Sequence, residues 1–167
     1  MIQLHGFYTR FTIDVQKYTK TLDAAMDVQM RQAARAWLRA VITKVPIWTG
    51  MAQGSLRPLG TFLKVAIPIT PVAFRKGMGP DAGAAKSSFV FKKEGNKYIF
   101  RFTEGVAHYT INEFYDVPNV KLRTPGPWRS FKEGELAWDD YIQNELPKRL
   151  PKLEMFIVQK RTAFYRN

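Results

Sequence analysis

Between Gly6 and Pro46 the chain has neither glycine nor proline, and no other feature limits its possible folds so sharply. From Thr12 to Val45, apolar residues fall at Val15, Tyr18, Leu22, Met26, Met30, Ala33, Trp37, Val41 and Val45, always three or four apart. That spacing predicts one helix over 12–45 with an unbroken apolar face. Thr12 is expected to be its N-cap, with Asp14 in the first turn. Arg31, Arg35 and Arg39 line a second, solvated face, and Asp27 sits one turn before Arg31, placed for an ion pair. At about 1.5 Å per residue such a helix is roughly 50 Å long, against about 30 Å across a compact domain of this size. Part of it is therefore expected to find its cover on another subunit.

The helix runs into VPIWTGMAQGSLRPLG, Val45 to Gly60. Pro46 cannot continue the hydrogen-bond ladder and pushes Val45 out of helical geometry. Thr49 is expected to cap a second, short helix, Gly50 and Gly54 allow close backbone packing, and Pro58 closes the segment. No acid, His or Cys lies within the stretch, and no Gly-Lys-Ser/Thr follows its glycines, so it is neither a catalytic nor a phosphate loop.

Beyond it the pattern changes to strands. Thr61–Ile69 reads as an edge strand broken by Pro68. Residues 75–88, rich in Gly, Ala and Ser, read as a long mobile loop. Ser88–Lys93 and Lys97–Thr103 alternate apolar and polar residues around the turn Glu94-Gly95-Asn96, a hairpin. Ala107–Phe114 is a third strand, and 116–128 is irregular. Ser130 and Glu133 have capping-box spacing and open a helix over 130–147. Its expected apolar face is Phe131, Leu136, Trp138, Tyr141, Ile142 and Leu146, and Pro147 ends it. Leu150–Phe164 reads as a further helical segment leading into a basic tail. The whole is one α+β domain over 1–167: long helix, antiparallel sheet over 61–114, second helix, and a basic C-terminal segment over 148–167.

Charge bears on partners. The 26 Lys and Arg against 14 Asp and Glu give +12, an excess that suits a polyanionic neighbour such as nucleic acid. It is unevenly spread: nine basic and two acidic residues in 57–101, six and one in 148–167, but four and eight in 102–147. Segregation of this kind suits head-to-tail contact between copies or with partners. There is no cysteine, hence no disulfide or thiolate chemistry. The N-terminus lacks a basic leader followed by an apolar run, and no apolar stretch approaches the ~18 residues of a membrane span. A soluble intracellular product is expected, without membrane contact.

Two catalytic constellations are conceivable: His108 with Glu113 and Asp116, and Glu133, Glu135, Asp139 and Asp140 as a metal-binding cluster. His108 and Glu113 would point to opposite faces of a strand, and acids in the first turns of a helix suit its dipole without any metal. No enzyme, cofactor or metal site is expected. A nucleic-acid-binding sheet would interleave Lys92, Lys93, Lys97 and Arg101 with Phe89, Phe91, Tyr98, Phe100 and Phe102. The alternation favours aromatics filling a core face while the charges meet water.

Val45-Pro46, Thr49-Gly50 and Ser55-Leu56, in this order after a long helix, resemble the signature of the tail-completion (neck) proteins of long-tailed bacteriophages. Tyr109, Glu113 and Phe114 match that family's later strand motif, and Pro127-Trp128 resembles the Pro-aromatic pair before its last helix. The agreement in order covers about residues 12–147. Ala52 stands where Leu is usual, Tyr115 replaces a Gly, and 75–88 looks like an insertion. The resemblance implies a tail-terminator or tail-tube-like fold. It also implies a virion protein assembled in the bacterial host cytoplasm, forming a ring of six or, failing that, twelve copies between connector and tail tube. DNA would pass through such a ring with sparse, non-specific phosphate contacts. Arg75, Lys76, Lys86, Lys92 and Lys93 are the candidates to meet the channel or the adjacent ring.

Overall fold

A computed structural model describes residues 5–45, 50–69, 76–106, 113 and 127–165. The architecture is α+β, as expected. Strand β1 (His5–Ile13) leads into the long helix α1 (Val15–Lys44), which ends as Val45 turns extended before Pro46. Asp14, not Thr12, is the N-cap: its Oδ1 accepts the Lys17 N–H at 2.9 Å. Thr12 is taken up by β1, which pairs antiparallel with the last strand, β4 (Ile157–Tyr165), over nine residues on each side. The helix expected over 150–164 is thus a short 3-10 turn, Leu153–Phe156, followed by β4. Its partner strand lies at the other end of the sequence, so no local pattern reports the pairing.

Short helices α2 (Met51–Gly54), α3 (Arg57–Leu63) and α4 (Pro80–Ala84) follow. Four expectations are overturned here. The strand over 61–69 is instead the end of α3 and an irregular stretch. Pro58, in the first turn of α3, is preorganised for a helix and opens it where it was expected to close the segment. Lys64, left-handed at φ 57°, terminates α3, and Arg35 Nε donates to the Leu63 carbonyl at 2.7 Å. Arg35 is therefore a cap for a neighbouring helix and not part of a solvated row. The loop over 75–88 contains α4, packed against α2. A Cβ on Gly83 would sit 1.9 Å from the Met51 carbonyl oxygen, and one on Gly54 would sit 2.2 Å from that of Pro80. Small residues there serve close packing, so 80–84 is not a mobile arm.

Strands β2 (Ser88–Glu94) and β3 (Lys97–Thr103) form the expected hairpin, pairing Phe89 with Phe102 and Phe91 with Phe100. Helix α5 (Ser130–Asp140) passes through a π turn, Tyr141–Glu145, into α6 (Leu146–Arg149). Pro147 does not end this run. The Leu146 N–H reaches back five residues to the Tyr141 carbonyl, and the wider turn accommodates a residue that has no N–H and crowds the carbonyl four before it.

The core gathers around the second half of α1. Trp37 packs against Phe100, Phe102 and Phe131 with ring centroids 5.3–5.8 Å apart. Phe100 also stacks on Trp138 at 5.4 Å. Leu38, Val41, Leu56, Leu59, Leu63 and Val106 complete it. Gly134 lets α5 approach closely, since a Cβ there would lie 2.7 Å from Trp37 Nε1. Leu136, expected on the apolar face of α5, is 56% exposed. The first half of α1 is different: no residue from 12 to 29 is buried, and Val15 is 62% exposed.

Candidate functional site

Of the sequence-singled residues, Val45, Gly50 and Ser55 come together where α1 turns into α2. Gly50 is left-handed at φ 76° and precedes α2 without a side-chain cap; Pro46 and Thr49 lie outside the described residues. Gln53 Nε2 donates to the Val45 carbonyl at 2.7 Å, satisfying an end of α1 that Pro46 leaves open. Ser55 is fully buried, and the Ser87 hydroxyl donates to its carbonyl at 2.5 Å. The Ser55 hydroxyl lies 2.7 Å from the Ala52 carbonyl oxygen and also hydrogen-bonds Glu104 Oε2. A hydroxyl has one hydrogen to give. If it goes to Ala52, the contact with Glu104 requires a protonated carboxyl as donor. Burial pushes the Glu104 carboxyl up from its ordinary value, against the pull of its bonds from Ser55 and the Val106 N–H. The residue ties β3, α2 and the segment after α4 together. Only a Glu directly after a strand, Thr103-Glu104-Gly105, marks it in the sequence, and that signal is too common to single it out.

Glu113 forms a second structural tie. It is 3% exposed; its carboxylate accepts from Ser130 Oγ at 2.7 Å and from the Phe131 N–H at 2.6 Å. It caps α5 from a distance, where the helix dipole also favours a negative charge. The expected capping box does not form. Arg129 holds the N-cap position at φ 52°, Ser130 turns to Glu113, and Glu133 reaches Lys44 at 3.7 Å. Tyr109 and Phe114, the other motif residues, lie outside the described residues, as do His108 and Asp116.

The candidate charged contacts divide. Lys76 and Lys86 are exposed, and Arg75 lies outside the described residues. Lys92 pairs with Glu94 on its own strand, and Lys93 reaches Asp23 on α1 at 3.2 Å, the bond that holds its pKa above the ordinary lysine value. Beside it the Tyr98 hydroxyl donates to Asp27. Asp27 is thus engaged by the hairpin and makes no ion pair with Arg31, whose guanidinium stands 4.9 Å above the Phe62 ring. These contacts fasten the hairpin to α1. The aromatics that a base-stacking sheet would need are committed too: Phe89 and Phe91 meet Phe62, and Phe100 and Phe102 meet Trp37.

Among the described residues no group of three His, Cys, Asp or Glu is placed to hold a metal ion. Among them, too, no helix is long and apolar enough to cross a membrane. No protein-family model, curated protein or solved structure matches the chain. Among the described residues, the uncovered surfaces are the first half of α1, the ribbon root at Ile13 and Ile157, and the outer face of α5.

Proposed function

We propose that the chain is a structural ring subunit of a phage neck, joining a DNA-filled head to its tail and lining the channel through which DNA passes. One observation carries the reading on the structural side: a 30-residue helix of which only the second half is buried, with a two-stranded ribbon extending from its uncovered end. A two-stranded ribbon is at best marginally stable alone in water, so a subunit built this way gains by assembly. The motif residues Val45, Gly50, Ser55 and Glu113 act in this reading as ties within the subunit. Of the five candidate charged contacts, exposed Lys76 and Lys86 are the two described residues not paired with an acid in the subunit, and they remain to meet an acidic neighbour or phosphate.

A nucleic-acid-binding module is the lesser reading, because the hairpin aromatics are used within the core. Counting copies in particles that contain the chain, by quantitative mass spectrometry, tests the proposal. Six copies per particle are expected, or twelve; a single copy would sink it. A monomer that shifts single-stranded oligonucleotide at moderate salt would favour the binding module.

A further inference from the structure

Five large apolar side chains crowd the root of the ribbon: Ile13, Val15, Leu153, Met155 and Ile157, exposed by 38–76%. They belong to two segments held side by side. Ile13 is the register partner of Ile157, and the Asp14 N–H donates to the Phe156 carbonyl at 3.3 Å. Tyr18 closes edge-on against Phe156 at 5.3 Å, leaving Leu153 and Met155 on the outside of that contact. Scattered apolar residues need no explanation, but five together at one end of a molecule do. Beside them, among the described side chains of 12–20 and 146–157, stand five Lys and Arg against two acids; Lys148 and Arg149 are taken by Glu145, and Lys17, Lys20 and Lys152 are exposed.

The outer face of α5 has the opposite character. Lys132, Glu135, Leu136, Asp139, Asp140 and Gln143 recur at helical spacing and are all exposed, giving one apolar side chain ringed by three acids and one base. This face cannot cover the ribbon root of its own chain. Gly134 fixes α5 against Trp37 and Val41, which lie roughly 33 to 39 Å along α1 from Val15 at ~1.5 Å per residue.

We infer that the ribbon root of one copy docks on the outer face of α5 of a second copy, with Met155 and Leu136 near the centre of the contact. The inference rests on the ring reading and gives it a contact: two different patches, apolar within and opposite in charge around the rim, make a head-to-tail interface that closes into a ring when the rotation allows. Lys17, Lys20 and Lys152 on one side then face Glu135, Asp139 and Asp140 on the other.

The absence of cysteine makes a clean test possible. Met155→Cys and Leu136→Cys proteins are prepared separately, since both positions are exposed and tolerate the change, then mixed and oxidised. The mixed disulfide is expected to exceed both same-variant disulfides by about tenfold, and Lys17→Glu with Lys20→Glu in the Met155→Cys protein should erase the excess. Reversal of Glu135 and Asp139 to Lys in the other protein should restore it. Mixed disulfide no more abundant than the same-variant products overturns the assignment. So does absence of any cross-link when the Met155→Cys protein sediments with phosphatidylserine vesicles, which would give the patch to a lipid surface. The ring reading is judged separately, from the mass of the double variant after oxidation. A ladder or closed ring supports it; a product stopping at a dimer keeps the pairing and discards the ring.

Discussion

The two halves of α1 share one sequence pattern and have opposite fates. Both carry apolar residues every three or four positions. In the second half these meet the hairpin, α5 and the α2–α3 corner, and Met30, Ala33, Ala34, Trp37, Leu38 and Val41 are buried. In the first half Tyr18, Leu22 and Met26 are only partly covered, and Val15 is bare. Periodicity therefore reports that a face is meant to be covered, but not by what. The burial difference supplies the missing term: the subunit's own core ends near Met30, while the helix continues for four more turns.

The comparison breaks most visibly under large-to-small substitution. Trp37→Ala removes the ring at the centre of the aromatic cluster and should cost about 3–5 kcal/mol, whereas Val15→Ala should leave the monomer's melting temperature unchanged. Thermal denaturation of the two variants checks this, and a comparable loss from Val15→Ala would mean that the first half is covered after all. Gly83→Ala comes next. Its Cβ meets backbone at Met51, so α4 must shift, at roughly 1–3 kcal/mol. Replacing 76–86 with a short Gly-Ser turn should likewise lower the melting temperature, since it deletes α4. An unchanged melting curve would return that segment to the status of a loose arm.

A smaller effect concerns Glu104. Its folded pKa is raised by burial, so the folded chain holds the proton more tightly than the unfolded one. The stabilisation is then complete below the unfolded value of 4.5 and is lost as pH rises through the folded value. Glu104→Gln keeps a neutral donor toward Ser55 and should melt higher than the parent at pH 7 but not at pH 4. An advantage equal at both pH values would show that the carboxyl is not the titrating group. Least of all, Lys93→Ala breaks an exposed pair with Asp23 and should hardly move the melting temperature. A large loss would mean that the hairpin depends on that pair more than on its aromatic face.

How much of this could be read from the sequence follows from the range of the forces involved. The long helix, the 88–103 hairpin and the inward-facing aromatics were legible, because each is written in spacing between near neighbours. The start of α1 was misplaced by two residues because Thr12 pairs with Val158 at the far end of the chain. Thr61-Phe62-Leu63 has strand-like composition but follows Pro58, and a first-turn proline with a left-handed Lys64 outweighs weak propensity. The GPDAGAA stretch shows no apolar periodicity because α4 packs by backbone approach and not by large side chains. Glu113 stands among the motif residues, but its service to Ser130 and Phe131 depends on contacts 17 and 18 residues away. The apolar ribbon root is invisible to local pattern for the same reason: Ile13 and Ile157 become neighbours only when β1 meets β4.

Hydrogen exchange along α1 tests most directly the claim that its first half awaits another copy. Peptides from 15–29 and 30–44 would be followed by mass spectrometry in the dilute monomer and in the assembled state. In the monomer the account predicts strong protection for 30–44 and weak protection for 15–29; on assembly 15–29 alone gains protection. Equal protection of both halves in the monomer, or an assembled state in which 15–29 exchanges as fast as before, would contradict it.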